Sequence, residues 1–226
     1  MDTQRSSFTA VVTGATSGIG QQVALQLAER GWRVIAIGRD QEALAELGRS
    51  SALITPRAAD LLTDDLAALL PARVDALVHA AGISPDGGVE RTDAEDWSRV
   101  FALNVTAGAQ LVRYALPSLR RSRGTIVFVN SGAGTAARPR NTPYAASKHA
   151  LRALANGLRG EEEAHGVRVS TVYPGPTDTP MFTGDVDRSA LIRPASVAAA
   201  VLTAITASED VQLTDIHVRP RRELSW

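Results

Sequence analysis

Short apolar runs alternate along this chain with longer segments whose apolar residues recur every three or four positions. The first run, FTAVVT at 8–13, is β-branched and ends in glycine. Residues 19–30 carry Val23, Ala24, Leu27 and Ala28 at helical spacing, and Gly31 stands where a helix cap is expected. RVIAI at 33–37 predicts a second strand, and 41–48 a second helix. A weaker strand at 52–59, a helix at 63–70 with Pro71 beyond it, and the strand DALVHA at 75–80 follow. A long helical stretch runs from 93 to about 121, bent or ended by Pro117. TIVFVN at 125–130 is a fifth strand, 143–165 a helix stopped by Gly166, and VRVSTVY at 167–173 a sixth strand. A loop rich in Pro, Gly, Thr and Asp covers 174–193, before a helix at 194–208 and a last strand at 211–218.

Strands joined by helices of this length pair in parallel, through right-handed crossovers. The near-continuous apolar strands FTAVV, VIAI and IVFV fit a sheet covered on both faces. The expected fold is α/β: a single-domain Rossmann fold over 1–226, with a doubly wound parallel sheet of about seven strands and helices on both faces. At 226 residues and 44% hydrophobic content the chain can bury one substantial core. No repeat or linker divides it.

Charge and composition narrow the function. Lys+Arg and Asp+Glu both number 24, so nothing global favours nucleic acid or an anionic membrane. Cysteine is absent, which excludes disulfides, thiolate metal sites and a cysteine nucleophile, and fits a reducing cytosol. The polar start MDTQRSS has no signal-like apolar core, and no apolar run reaches the ~18 residues of a membrane span. A cytoplasmic protein without a processed segment is expected. His79, His149, His165 and His217 are scattered without metal-ligand spacing.

The first strand runs into Thr13-Gly14-Ala15-Thr16-Ser17-Gly18-Ile19-Gly20. Glycines there let the backbone turn sharply and approach a pyrophosphate, while the helix behind offers unpaired N–H groups and its positive dipole end. Past the second strand stands Gly38-Arg39-Asp40. An acid at that strand end would bond the ribose hydroxyls and repel a 2′-phosphate; glycine and arginine favour the phosphate. NADP(H) is therefore the expected cofactor. Asp40 is either a ribose-binding acid, which leaves NAD(H) open, or the N-cap of the next helix.

Tyr144-Ala145-Ala146-Ser147-Lys148 places tyrosine and lysine four apart, on one helical face. A carbonyl that takes up hydride needs a proton donor, and the reverse reaction needs a base. A phenol of pKa ~10 is a poor base at neutral pH, and a nearby ammonium favours its ionised form. Ser131 follows the fifth strand, at the sheet edge where ligands bind such folds. Its hydroxyl can hold a substrate oxygen, or it is an ordinary turn serine. Asn104 interrupts the helix VFALNVTAG, either as a local kink or to anchor a water that links Lys148 to solvent.

Taken in order, these motifs resemble the short-chain dehydrogenase/reductase family over nearly the whole chain. TGATSGIG resembles its cofactor loop, so Gly14, Thr16, Ser17, Gly18, Ile19 and Gly20 are expected to hold the dinucleotide. Asp60-Leu61 is similar to the pair at the adenine ring, and His79-Ala80-Ala81-Gly82 to the family's Asn-Asn-Ala-Gly motif. Pro174-Gly175, Thr177 and Thr179 fall in the stretch that meets the nicotinamide amide. Asn104, Ser131, Tyr144 and Lys148 match the catalytic tetrad in order and spacing. The resemblance implies that Tyr144 exchanges the proton and Ser131 holds the substrate oxygen. Lys148 binds the nicotinamide ribose and helps ionise Tyr144, while Asn104 supports a proton relay. A small-molecule alcohol/carbonyl substrate and a homodimer or homotetramer are also implied.

Two departures stand out. His79 replaces asparagine and reads as a structural variant. The chain ends at RPRRELSW without the family's usual glycine-rich stretch, and Arg219, Arg221 and Arg222 read as solvated strand-end charge. FTGDVDRSALIRP would form a small lid with Phe182 as an apolar wall, and Arg138, Arg140 and Asn141 could select a polar or anionic substrate. The alternatives are a non-catalytic NADP(H)-binding regulatory protein, which would want a damaged Tyr or Lys, and a methyltransferase, which would not explain that pair.

Overall fold

The computed structural model describes residues 8–85, 87–137, 139–183 and 187–222. Seven parallel strands form one sheet in the order β3-β2-β1-β4-β5-β6-β7. They are β1 (Thr9–Thr13), β2 (Arg33–Gly38), β3 (Ile54–Ala58), β4 (Ala76–His79), β5 (Thr125–Val129), β6 (Arg168–Pro174) and β7 (Asp215–Val218). The order reverses between β1 and β4. There the connecting segments diverge and leave a crevice beyond the carboxyl ends of the strands.

Successive strand residues point to opposite faces, and both faces are covered. Val12, Val78 and Val127 pack against Val23 and Leu27 of α1 (Gly18–Glu29) and Val201 of α6 (Pro194–Ile205). Val11, Leu77, Ile126 and Phe128 pack against Leu111 and Leu119 of α4 (Ala107–Ser122) and Leu151 of α5 (Thr142–Glu162). The remaining α-helices are α2 (Gln41–Ser50) and α3 (Ala94–Phe101). Each fully buried Leu or Val in these layers stabilises the fold by about 1.5–3 kcal/mol.

Several predicted elements change. Residues 63–70 form turns instead of a helix. Asp60 Oδ1 accepts from Leu62 N at 3.0 Å, Asp64 Oδ2 from Asp60 N at 2.9 Å and Asp65 Oδ1 from Ala67 N at 3.0 Å. Such local side-chain acceptors outcompete a short helix for its own N–H groups. The single helix expected over 93–121 is three pieces: α3, a π-helical turn over Ala102–Thr106, and α4. Pro117 does not end α4, which continues to Ser122. It lies on the exposed face, so the carbonyl its missing N–H leaves is open to solvent and costs little. The last strand is shorter than 211–218. Its expected first half is held by single bonds instead, such as Gln212 Oε1 accepting from Val169 N at 2.9 Å.

Candidate active site

The strand register lines Thr13, His79, Val129 and Pro174 along one edge of the sheet. The predicted site residues come from segments that begin there. They wall a cleft of about 650 Å³.

One end of the cleft is built by the glycine loop. Gly14 and Gly18 have φ of +65° and +53°, in the left-handed region that favours glycine. A Cβ on Gly14 would stand 2.8 Å from the Ala81 backbone nitrogen, and one on Gly20 would overlap the Gly14 carbonyl. The start of α1 is open. Ser17 makes no capping bond, and the first turn holds no acid. By contrast α2 is capped by Asp40, whose Oδ1 accepts from Ala43 N at 3.0 Å, and α3 carries a capping box. The unsatisfied N–H groups and positive end of α1 therefore face the cleft, which suits a phosphate. Asp40 is thus a helix cap. Thr16, Ser17 and Ile19 line the cleft beside the three glycines.

Arg39 lines the cleft beyond β2, with Nη1 3.9 Å from Asp60 Oδ2. Both groups are substantially exposed, so the pair is weak and exchangeable. Asp60, Leu61, Ala80, Ala81 and Gly82 also line this wall. The loop after β6 closes the opposite side with Pro174, Gly175, Thr177 and Thr179. The Thr179 methyl lies 2.9 Å from where a Gly18 Cβ would be, so the two loops meet closely.

Tyr144 and Lys148 project from the first turns of α5, which begins with Thr142-Pro143. Tyr144 is buried, and burial raises its phenol pKa while a hydrogen bond with Ser131 opposes the rise. Lys148 is also buried. Its Nζ donates to the Val129 carbonyl at 2.9 Å and lies 5.5 Å from the Tyr144 ring centre. Burial lowers its pKa to about 8. Desolvation of the buried phenol outweighs its hydrogen bond with Ser131, so the raised direction holds.

Asn104 is the one predicted residue set behind the wall. Its Oδ1 accepts from Ile83 N at 2.8 Å, and its Nδ2 donates to Ile83 O at 3.0 Å and Ser147 Oγ at 2.9 Å. Both amide hydrogens are used, so the side chain pins the post-β4 loop to α5. The π turn allows this by rotating Asn104 off the regular helical face.

Asn130 was missed by sequence reasoning. Its Nδ2 donates to the Lys148 carbonyl at 3.0 Å, and its Oδ1 accepts from Ser131 N at 2.8 Å. It therefore ties the serine to the helix that carries Tyr144. The only sequence signal was a polar residue closing the apolar run TIVFV. Arg219 is exposed just beyond β7, as expected of a strand-end charge, and also borders the cleft. Phe182 and Asn141 also line the cleft, and Arg138 lies outside the described residues.

His79 is fully buried at the end of β4. Thr13 Oγ1 accepts from Ala80 N and Ala81 N, each at 3.2 Å, and lies 3.1 Å from His79 Nδ1. A hydroxyl that already accepts two bonds gives its own proton to Nδ1, which leaves the imidazole hydrogen on Nε2. Nε2 faces the Leu103 and Asn104 carbonyls of the π turn without a well-formed bond to either. Gly108 makes room for the ring, since a Cβ there would stand 2.8 Å from His79 Cδ2. Burial, and then the charge of Lys148, lower the His79 pKa to about 4.

Among the described residues there is no cluster of three or more metal-ligating side chains, and no helix long and apolar enough to cross a membrane. The family model for short chain dehydrogenases matches residues 8–189. An uncharacterised oxidoreductase of Staphylococcus saprophyticus is 32% identical over 93% of this chain and 96% of its own. An oxidoreductase structure of the short-chain dehydrogenase/reductase family from Burkholderia thailandensis superposes with a TM-score of 0.86 at 31% identity, covering 94% of this chain and 91% of that one. The 3-ketoacyl-(acyl-carrier-protein) reductase of Brucella melitensis, solved with NADH, shares the fold with a TM-score of 0.88 at 24% identity over 96% of this chain and 98% of that one. A glycine loop at the β1/β4 crevice, a Tyr-Lys helix facing it and this agreement along the chain have one account: the protein belongs to the short-chain dehydrogenase/reductase family, with its NAD(P)-binding Rossmann fold.

Proposed function

We propose that the protein is an NADP(H)-dependent oxidoreductase that interconverts a small alcohol and its carbonyl. The observation that carries this reading is the meeting of Tyr144, Ser131 and Lys148 on the cleft wall that also holds the open start of α1. Ser131 holds the substrate oxygen, and Tyr144 gives that oxygen its proton in reduction or removes it in oxidation. Lys148 binds the nicotinamide ribose, and Asn104 and Asn130 fix the two segments that present these groups. When bound, a nicotinamide dinucleotide supplies or accepts the hydride, and its oxidised form adds the positive charge that favours phenolate.

Arg39 supports the NADP(H) preference, because a guanidinium at this position can grip a 2′-phosphate through paired hydrogen bonds. Asp40, taken up as a helix cap, does not compete as a ribose acid. Fluorescence titration with NADPH and NADH tests this. The wild type is expected to bind NADPH more tightly, and Arg39→Ala to weaken NADPH by about tenfold with NADH nearly unchanged. Equal loss for both would remove Arg39 as the phosphate clamp, and binding of neither would overturn the whole reading. A cytoplasmic homodimer or homotetramer is proposed with it. Half-exposed Tyr114 on α4 supports an assembly face there, and light scattering of the purified protein tests it.

A further inference from the structure

The π turn over Ala102–Thr106 disturbs the helix ladder. In a regular helix Ala107 N would bond Leu103 O, four residues back. Here it bonds Ala102 O, so Leu103 O loses that donor. The Leu103 and Asn104 carbonyls face His79 Nε2, the imidazole nitrogen that carries the hydrogen. The ring is fully buried, and among the described residues Nε2 makes no well-formed hydrogen bond. An orphaned buried donor is costly, which favours a turn that keeps its carbonyls toward the ring. On the same edge of the ring a Cβ on Gly108 would stand 2.8 Å from Cδ2, so the imidazole is wedged against the start of α4. Its Nδ1 lies 3.1 Å from Thr13 Oγ1, the residue before Gly14. The imidazole therefore spans from the first residue of the glycine loop to the π turn.

That turn carries Asn104. Asn104 Nδ2 donates to Ser147 Oγ at 2.9 Å, and the Ser147 hydroxyl donates to the Tyr144 carbonyl at 2.7 Å. Asn104 Oδ1 lies 3.1 Å from the Cβ position of Gly82, and Lys148 Nζ lies 3.7 Å from the same point. Groups that do chemistry must be held within roughly 0.5 Å of their working geometry, by neighbours that are themselves locked. We propose that His79 is a positioning residue: it braces the π turn against β1 and so holds Asn104, and through Asn104 and Ser147 the helix start that presents Tyr144 and Lys148. The effect on catalysis rests on the hydride-transfer reading above; the brace itself does not. It adds to that reading the residue that fixes Asn104.

Hydrogen exchange of the Asn104 side-chain amide tests the brace without any substrate. Its signals in nitrogen-15-labelled protein are identified by their loss in Asn104→Ala. His79→Asn keeps an acceptor for Thr13 but ends at the δ position, short of the turn. It should speed this exchange by about tenfold more than that of the Val127 backbone amide in the sheet core. His79→Gln, whose amide N–H groups extend to the ε position, should restore part of the protection. Equal acceleration at Asn104 and Val127 would make His79 a stabiliser of the whole fold and overturn the proposal. No acceleration, or a wild-type Asn104 amide that exchanges like an exposed one, would overturn it too. Reduction of para-nitrobenzaldehyde by NADPH tests the consequence. His79→Asn should lower kcat by about tenfold with NADPH affinity within about twofold of the wild type, and should add no further loss in an Asn104→Ala background. Losses that multiply would overturn the action through Asn104. If the wild type does not reduce the aldehyde, the exchange result alone decides the brace.

Discussion

Tyr144→Phe is expected to lower kcat by about a thousandfold while NADPH binds within a few-fold of the wild type. The variant removes one hydroxyl and keeps the ring on which Lys148 rests. Positioned acid–base groups contribute roughly a hundred- to ten-thousandfold, and Tyr144 is a titratable group hydrogen-bonded with Ser131. The fold should be unaffected, because burial raises the cost of ionising the phenol and so works against charge at that position. Stopped-flow hydride transfer together with cofactor titration checks both parts. Retention of more than about a tenth of kcat would transfer the proton role elsewhere.

The second large effect concerns stability in acid. His79 stays neutral in the folded protein down to about pH 4, but an unfolded chain protonates it near its ordinary value of 6.5. Between these values the unfolded state binds the extra proton. Stability from this residue is therefore complete above about 6.5 and is lost as pH falls toward 4. A displacement of this size corresponds to about 3 kcal/mol. Denaturant titrations at pH 7 and 4.5 should show a steeper acid loss in the wild type than in His79→Asn, which has no group to titrate in that range. Equal acid loss in the two proteins would mean that carboxylates elsewhere set the acid limit.

The same residue shows why a departure from a motif is hard to interpret in sequence. His79 reads as a strand-end variant, and it does end β4. Its role, however, is set by Thr13 from another strand and by the π turn between α3 and α4. These partners lie 66 residues before it and some two dozen after it, and no local pattern joins them.

The chain's own pattern determined the βα alternation, the parallel sheet, the glycine loop and the Tyr-Lys spacing. Each depends on interactions over a few residues: strand and helix periodicity, glycine's freedom at positive φ, and the four-residue turn of a helix. Short-range competition already limited that reading at 63–70, where Asp65 captured the Ala67 N–H while Asp60 and Asp64 bonded the turn just before it. Only the tertiary structure decided the rest. It placed Asn104 behind the cleft and linked Asn130 to Lys148 and Ser131. The reason is physical. These side chains act through partners 18 to 43 residues away or on a neighbouring strand, and such distances close only when the sheet brings their ends to one edge.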